Sequence, residues 1–127
     1  MVQKPMAVRM LEQRRIAHEL FAFDAAIRSA EEVARSTGME LSEVYKTLVV
    51  EGDPPKGRPS LVLVPADSEL NLKALATALG AKKLRMASHA DAERATGLKV
   101  GGISALALLN RGFAVYIDAR ATELPHI

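Results

Sequence analysis

Two short apolar runs on either side of a proline-rich break constrain this chain most. The first is Tyr45-Lys46-Thr47-Leu48-Val49-Val50 and the second is Leu61-Val62-Leu63-Val64-Pro65. Both are rich in β-branched residues and too short to be helices of ordinary length, so each reads as a strand. Gly52 to Ser60 contains three prolines and two glycines. Proline lacks the N–H that a ladder or a helix needs, so this stretch is a loop between strands. It carries Lys56 and Arg58.

Helices flank these runs. Lys4 to Arg15 reads as one, with Ala7, Met10 and Leu11 on a common face. Ser29 and Glu32 have capping-box spacing ahead of Ala30, Val33, Ala34 and Thr37, and Gly38 ends that helix. Leu41 to Val44 can add a further turn. Asn71 caps a helix carrying Leu72, Leu75, Ala76 and Leu79, closed by Gly80. Ser88 opens another, closed by Gly97. Three further strands are expected: Ile16 to Phe23, where alternation is imperfect, Lys82 to Met86, and Phe113 to Asp118, after a turn at Asn110-Arg111-Gly112. Strands and helices interleave without a strict βαβ rhythm. This predicts an α+β fold with a mixed sheet and helices packed around it.

Composition narrows the chemistry. The 127 residues suffice for one domain able to bury a core. There is no cysteine, which excludes disulfides, thiolate metal sites and a cysteine nucleophile. No apolar run is long enough to span a bilayer, and Met1 to Arg15 lacks the apolar block of a signal peptide. A cytoplasmic protein is expected. Residues 46 to 111 hold 10 basic and 6 acidic side chains, whereas both flanks are at −1. A mildly basic middle permits a phosphate-bearing partner and equally suits a solvated surface. Aromatic residues are only 4%, too few for a broad base-stacking platform.

Standard catalytic signatures are missing. His18, His89 and His126 are isolated, with no zinc spacing, so surface or structural roles are expected and no metal or cofactor is called for. There is no nucleophile elbow and no Walker loop. Asp91 and Glu93 sit early in a helix, where its dipole favours carboxylates. Two features stand apart. Lys46 interrupts an apolar strand: it either points to solvent from a half-exposed sheet or reaches a pocket or partner, because burying an unpaired ammonium is costly. Val100-Gly101-Gly102-Ile103-Ser104 is either a plain tight turn or a backbone that aims successive N–H groups at a ligand.

Together these motifs resemble a known family. Val44-Tyr45-Lys46-Thr47-Leu48-Val49-Val50, followed about fifty residues later by Thr96-Gly97-Leu98-Lys99-Val100-Gly101-Gly102-Ile103-Ser104, is similar to the YbaK family. That family includes free-standing aminoacyl-tRNA deacylases and the editing domain of bacterial prolyl-tRNA synthetases. Leu70 to Leu75 and Lys82 to Ala87 match in kind and order, and the resemblance runs from Lys4 to Asp118. It departs where the family has Pro and Gly after the serine: here Ala105 and Ala107 stand. The turn after Ser104 is then expected to be more helical. A family tyrosine is replaced by Phe23 in the matching alignment. Relatives continue past the position of Ile127 with a glycine-containing strand pair and a final helix. The expectation is one editing-type domain over residues 1–127, with that segment a candidate omission.

The resemblance implies a mixed, largely antiparallel, barrel-like sheet with surrounding helices. It implies hydrolysis of the ester joining a mischarged small amino acid to tRNA, with tRNA(Pro) a candidate and no cofactor. Lys46 and Gly101 are then the catalytic candidates: Lys46 to hold the terminal phosphate or polarise the ester, the glycine backbone to position carbonyl and water. Gly102, Ile103, Ser104, Thr47, Phe23 and Met86 are the substrate-binding candidates. Lys56, Arg58, Lys82, Lys83 and Arg85 could meet the acceptor-stem backbone. The implied partners are the aminoacyl-tRNA acceptor end and, as a candidate, prolyl-tRNA synthetase, with no membrane and no metal. Two alternatives stay open: a non-catalytic tRNA- or synthetase-binding module, and a hydrolase or binder of another small ester or nucleotide.

Overall fold

The computed structural model describes residues 5–23, 27 and 29–127. Helix α1 (Met6–Gln13) buries Val8 and Met10 and packs on a 3-10 turn at Leu106–Leu108. Its inner stripe is thus set by Val8 and Met10 rather than by Ala7 and Leu11, which are half-buried. Lys4, the expected first residue, lies outside the described residues.

Three helices share one local grammar. In α2 (Ala30–Thr37), α3 (Leu72–Leu79) and α4 (His89–Thr96), a polar side chain accepts a first-turn N–H: Ser29 from Glu32, Asn71 from Ala74 and Ser88 from Asp91. Each ends on a glycine in the left-handed region, where other residues are strained. The Glu32 carboxylate accepts from the Ser29 hydroxyl at 3.2 Å, so the expected capping pair meets side chain to side chain. Leu41–Glu43 adds the expected further turn as a 3-10 helix.

The sheet contains β1 (Tyr45–Gly52), β2 (Ser60–Pro65), β3 (Leu84–Met86) and β4 (Val115–Ile117), in the order β3-β1-β2-β4. The first two are the constraining runs, paired antiparallel from Tyr45 opposite Pro65 to Val50 opposite Ser60. Strand β3 is antiparallel to β1 and β4 is parallel to β2. The architecture is α+β with a mixed, largely antiparallel sheet, as expected. It is not closed into a barrel among the described residues, because its two edges, β3 and β4, are three residues each and do not meet.

The expected strand at Ile16 to Phe23 does not form. These residues carry no regular structure, and Ile16, Leu20, Phe21 and Phe23 are exposed. A strand needs a ladder partner, and this stretch pairs with none of β1 to β4. Val115, Tyr116 and Ile117 of β4 are likewise exposed, so the alternation around them does not translate into one buried face.

Apolar side chains pack on both faces of the sheet. Val49 and Leu61 meet Ala92 of α4, Ala105 and Leu108. On the opposite face Val50, Val62 and Val64 meet Leu72 and Leu75 of α3. Leu61 is wholly inaccessible to solvent. Leu61→Ala is expected to cost about 2–5 kcal/mol, through lost burial and the cavity left behind, and urea unfolding measures it.

Candidate active site at the open edge of the central strand

Strand β3 pairs with β1 only from Val50 onward. The preceding stretch of β1 has β2 on one side and, among the described residues, an open edge on the other. Alternating hydrogen bonds fix which groups face that edge. The Val44 carbonyl accepts from Ala66 N at 2.7 Å on the β2 side, and the Val49 carbonyl accepts from Ala87 N at 3.0 Å on the other. The main-chain groups of Tyr45 and Thr47 therefore point away from β2, to the side that β3 leaves uncovered.

A cavity of about 710 Å³ lies along this edge. That volume suits a ligand larger than one amino acid. Its floor is Val44 to Val49, α2 contributes Ala30 and Val33, and α4 contributes His89 and Ala92. Phe23, Met86 and the turn at Val100, Gly101, Ile103 and Ser104 complete it. The structure thus gathers Lys46, Thr47, Phe23, Met86, Gly101, Ile103 and Ser104 around one space. Gly102 is part of the same turn and does not line the cavity.

Lys46 is exposed on the cavity floor and forms no ion pair or hydrogen bond among the described residues. Among the described residues no carboxylate lines the cavity, and Lys46 brings the one ammonium to that lining. The glycine turn supplies donors. Gly101 has φ +96°, and a Cβ placed on it would meet nothing within 4 Å. Gly102 lies outside the left-handed region, and its N–H donates to the Lys99 carbonyl at 2.8 Å. The N–H groups of Gly101, Ile103 and Ser104 have no partner among the described residues. Such unpaired donors beside an ammonium can stabilise negative charge developing on an oxygen.

The turn is pinned at both ends. Val100 N donates to the Glu93 carboxylate at 2.8 Å, and Ala105 N donates to Thr47 Oγ1 at 3.3 Å. Thr96, buried just upstream, donates to the Ala92 carbonyl and accepts from Leu98 N. Ala105 has φ −60°, the value a proline would impose, while its N–H makes a bond that proline cannot. The chain continues into the 3-10 turn, and Ala107 is not left-handed. The more helical path expected after Ser104 is present, and neither alanine strains it.

The basic residues proposed for an RNA backbone divide. Lys83 pairs with Asp53 at 3.3 Å, and Arg85 lies 3.4 Å from Glu51 and 3.7 Å from Asp53. Arg58 stacks 4.2 Å from the Phe113 ring centroid and donates to the Arg111 carbonyl. Each of those three charges has a partner within the molecule. Lys56 and Lys82 are exposed and form no ion pair among the described residues.

His89, Ser29 and Val33 reach the cavity although nothing in the sequence marked them as site residues. A lone histidine in the first turn of a helix carries no local sign of what it will face. The Tyr45 hydroxyl is enclosed and has no hydrogen-bond partner among the described residues. Burial and the nearby Asp118 carboxylate push its pKa up, so it stays protonated at neutral pH and supplies no base. Asp118 is held below the usual carboxylate range by hydrogen bonds from Arg120. Among the described residues no group of three or more His, Asp or Glu could hold a metal, and no helix is long and apolar enough to cross a membrane.

Comparison with known proteins agrees with the geometry. The EbsC protein of Enterococcus faecalis, named as a candidate Cys-tRNA(Pro)/Cys-tRNA(Cys) deacylase, is 37% identical over 123 residues, covering 95% of this chain and 73% of that protein. A proline–tRNA ligase of Geobacter metallireducens is 42% identical over 74 residues, 58% of this chain and 12% of the ligase. The crystal structure of a protein titled as a candidate trans-editing enzyme for prolyl-tRNA synthetase superposes with a TM-score of 0.78 at 27% identity, covering 98% of this chain and 78% of that one. Residues 24–127 match the family described as the aminoacyl-tRNA editing domain. With the cavity, its lysine and its glycine turn in place, the chain belongs to the aminoacyl-tRNA editing domain family.

Proposed function

We propose that this chain is a free-standing aminoacyl-tRNA deacylase acting in the cytoplasm, where tRNA is charged. It hydrolyses the ester of a small amino acid wrongly joined to tRNA, with tRNA(Pro) the first candidate. One observation carries the reading: an ammonium and turn N–H groups that have no partner among the described residues share a cavity, and among those residues its lining holds no carboxylate, histidine–carboxylate pair or metal cluster. Ester hydrolysis suits such equipment, because the substrate is already activated.

Water adds to the ester carbonyl carbon, and the carbonyl oxygen takes up negative charge. The turn N–H groups of Gly101 and Ile103 stabilise that oxyanion, while Lys46 polarises the ester or grips the terminal phosphate. Collapse expels the ribose oxygen, which takes a proton, and free amino acid and tRNA leave. Most of the acceleration then comes from orientation and electrostatics. Phe23, Met86, Ile103 and Ser104 bound the substrate, and the apolar wall of Val33 and Ala92 selects by size. Apolar walls discriminate weakly against molecules that fit with room to spare, which favours small amino acids as substrates.

The test is single-turnover deacylation of Cys-tRNA(Pro), Ala-tRNA(Pro), Ser-tRNA and Thr-tRNA. Accelerated loss of at least one ester over the spontaneous rate is the expected result. No acceleration on any of them, with tRNA still bound at low salt, would replace this reading by a binding module.

A further inference from the structure

We propose that Glu93 is a positioning residue that holds the glycine turn in its working shape. The inference rests on the deacylase reading for its effect on rate, and on geometry alone for its effect on the turn. Glu93 is the fifth residue of α4 and is not among the residues that line the cavity. Its carboxylate reaches seven residues ahead to accept the Val100 N–H at 2.8 Å. Val100 immediately precedes Gly101, whose φ is +96°; beyond it the Gly102 N–H closes the turn on the Lys99 carbonyl, and the N–H groups of Ile103 and Ser104 have no partner among the described residues.

This bond has a specific mechanical value. Glycine is the residue with most conformational freedom, so a turn built on Gly101 and Gly102 does not hold its shape by local sterics. Something outside the turn must restrict it. At the far end Thr47 accepts from Ala105 N, tying the turn to the strand that carries Lys46. At the near end the restraint is Glu93, tying it to α4. The helix is itself fixed from below by Ala92, which is buried against Val49 and Leu61. The two tethers thus reference the turn to the same core as Lys46, and a charge-assisted hydrogen bond is the stronger type for such a tether. The neighbouring acid Asp91 does something different: it pairs with Arg94 at 3.0 Å on the surface.

The experiment compares Glu93→Ala, Glu93→Gln and Asp91→Ala by single-turnover kinetics, amide hydrogen exchange and thermal unfolding. Glu93→Ala is expected to speed exchange at Val100. It should also lower the saturated deacylation rate at least about tenfold with little change in the substrate concentration for half-saturation, since misplaced groups lose rate before affinity. Glu93→Gln keeps an accepting oxygen and should retain most of the rate. Asp91→Ala should match the unmodified chain. Unchanged Val100 exchange in a folded Glu93→Ala protein would overturn the proposal, as would Glu93→Gln behaving like Glu93→Ala in both readouts. Exchange is read without substrate. Faster exchange in a chain that cleaves no ester would therefore reject the deacylase reading and leave the tether standing.

Discussion

Lys46→Ala should lower the single-turnover deacylation rate by about 10²–10³-fold, the range found when one electrostatic contributor to an oxyanion site is removed. Among the described residues that line the cavity, Lys46 is the one lysine or arginine, and no second ammonium or guanidinium there replaces it. The folded state should hardly notice: Lys46 makes no ion pair or hydrogen bond among the described residues, so the stability change should stay within about 0.5 kcal/mol. Urea unfolding beside the kinetic assay separates the two effects. A rate within threefold of the unmodified chain would remove Lys46 from the chemistry. A large loss of stability would show that the side chain is a structural element instead.

Gly101→Ala should be nearly as damaging, for a different reason. Its φ of +96° is a conformation that residues with a Cβ seldom adopt, and forcing one there costs roughly 1–2 kcal/mol. The added methyl meets no protein atom within 4 Å, so the cost is conformational, and the methyl stands in open space at the cavity wall. Relaxing the strain would swing the following N–H groups, and a loss of about 10²-fold or more in rate is expected. Gly102→Ala is the matched control. Its Cβ would sit 3.5 Å from the Lys99 carbonyl, an ordinary contact, and its backbone is outside the left-handed region. Stability and rate should both stay close to the starting values. Equal losses at the two positions would mean that the pair acts as a flexible hinge with no special geometry at Gly101.

The two glycines also show how much of the site could be read in advance. Their spacing from Lys46 pointed to the family, and the paired glycines pointed to a backbone near a ligand. Which glycine bears the left-handed turn was not readable there: it is Gly101, and the hydrogen bonds on either side of it, to Glu93 and Thr47, span seven and 58 residues. Arg58 and Arg85 illustrate the opposite error. As sequence they are basic residues available to a phosphate backbone. In the folded chain one stacks on Phe113 and the other faces Glu51 and Asp53. A charge in sequence carries its sign but not its neighbours.

Ile16 to Phe23 makes the same point for a strand. Partial alternation suggested one, yet a strand exists only through a partner, and this stretch pairs with none of β1 to β4. By contrast, the ends of α2, α3 and α4 were legible to the residue. Ser29, Asn71 and Ser88 act on N–H groups three positions away, and Gly38, Gly80 and Gly97 act on their own backbone. Those interactions are complete within one turn of chain, so residue type and spacing encode them fully. The β1–β2 pairing was legible for a related reason, because two β-branched runs joined by a proline-rich loop have few other ways to bury themselves. The cavity was not. It exists because β3 stops short at Val50 and leaves the main chain of Tyr45 and Thr47 uncovered by any strand among the described residues, and because α2, α4 and the glycine turn close around that gap. Local hydrogen bonding wrote the elements into the sequence; only packing between segments far apart in the chain decided that Lys46, His89 and Gly101 would face one another.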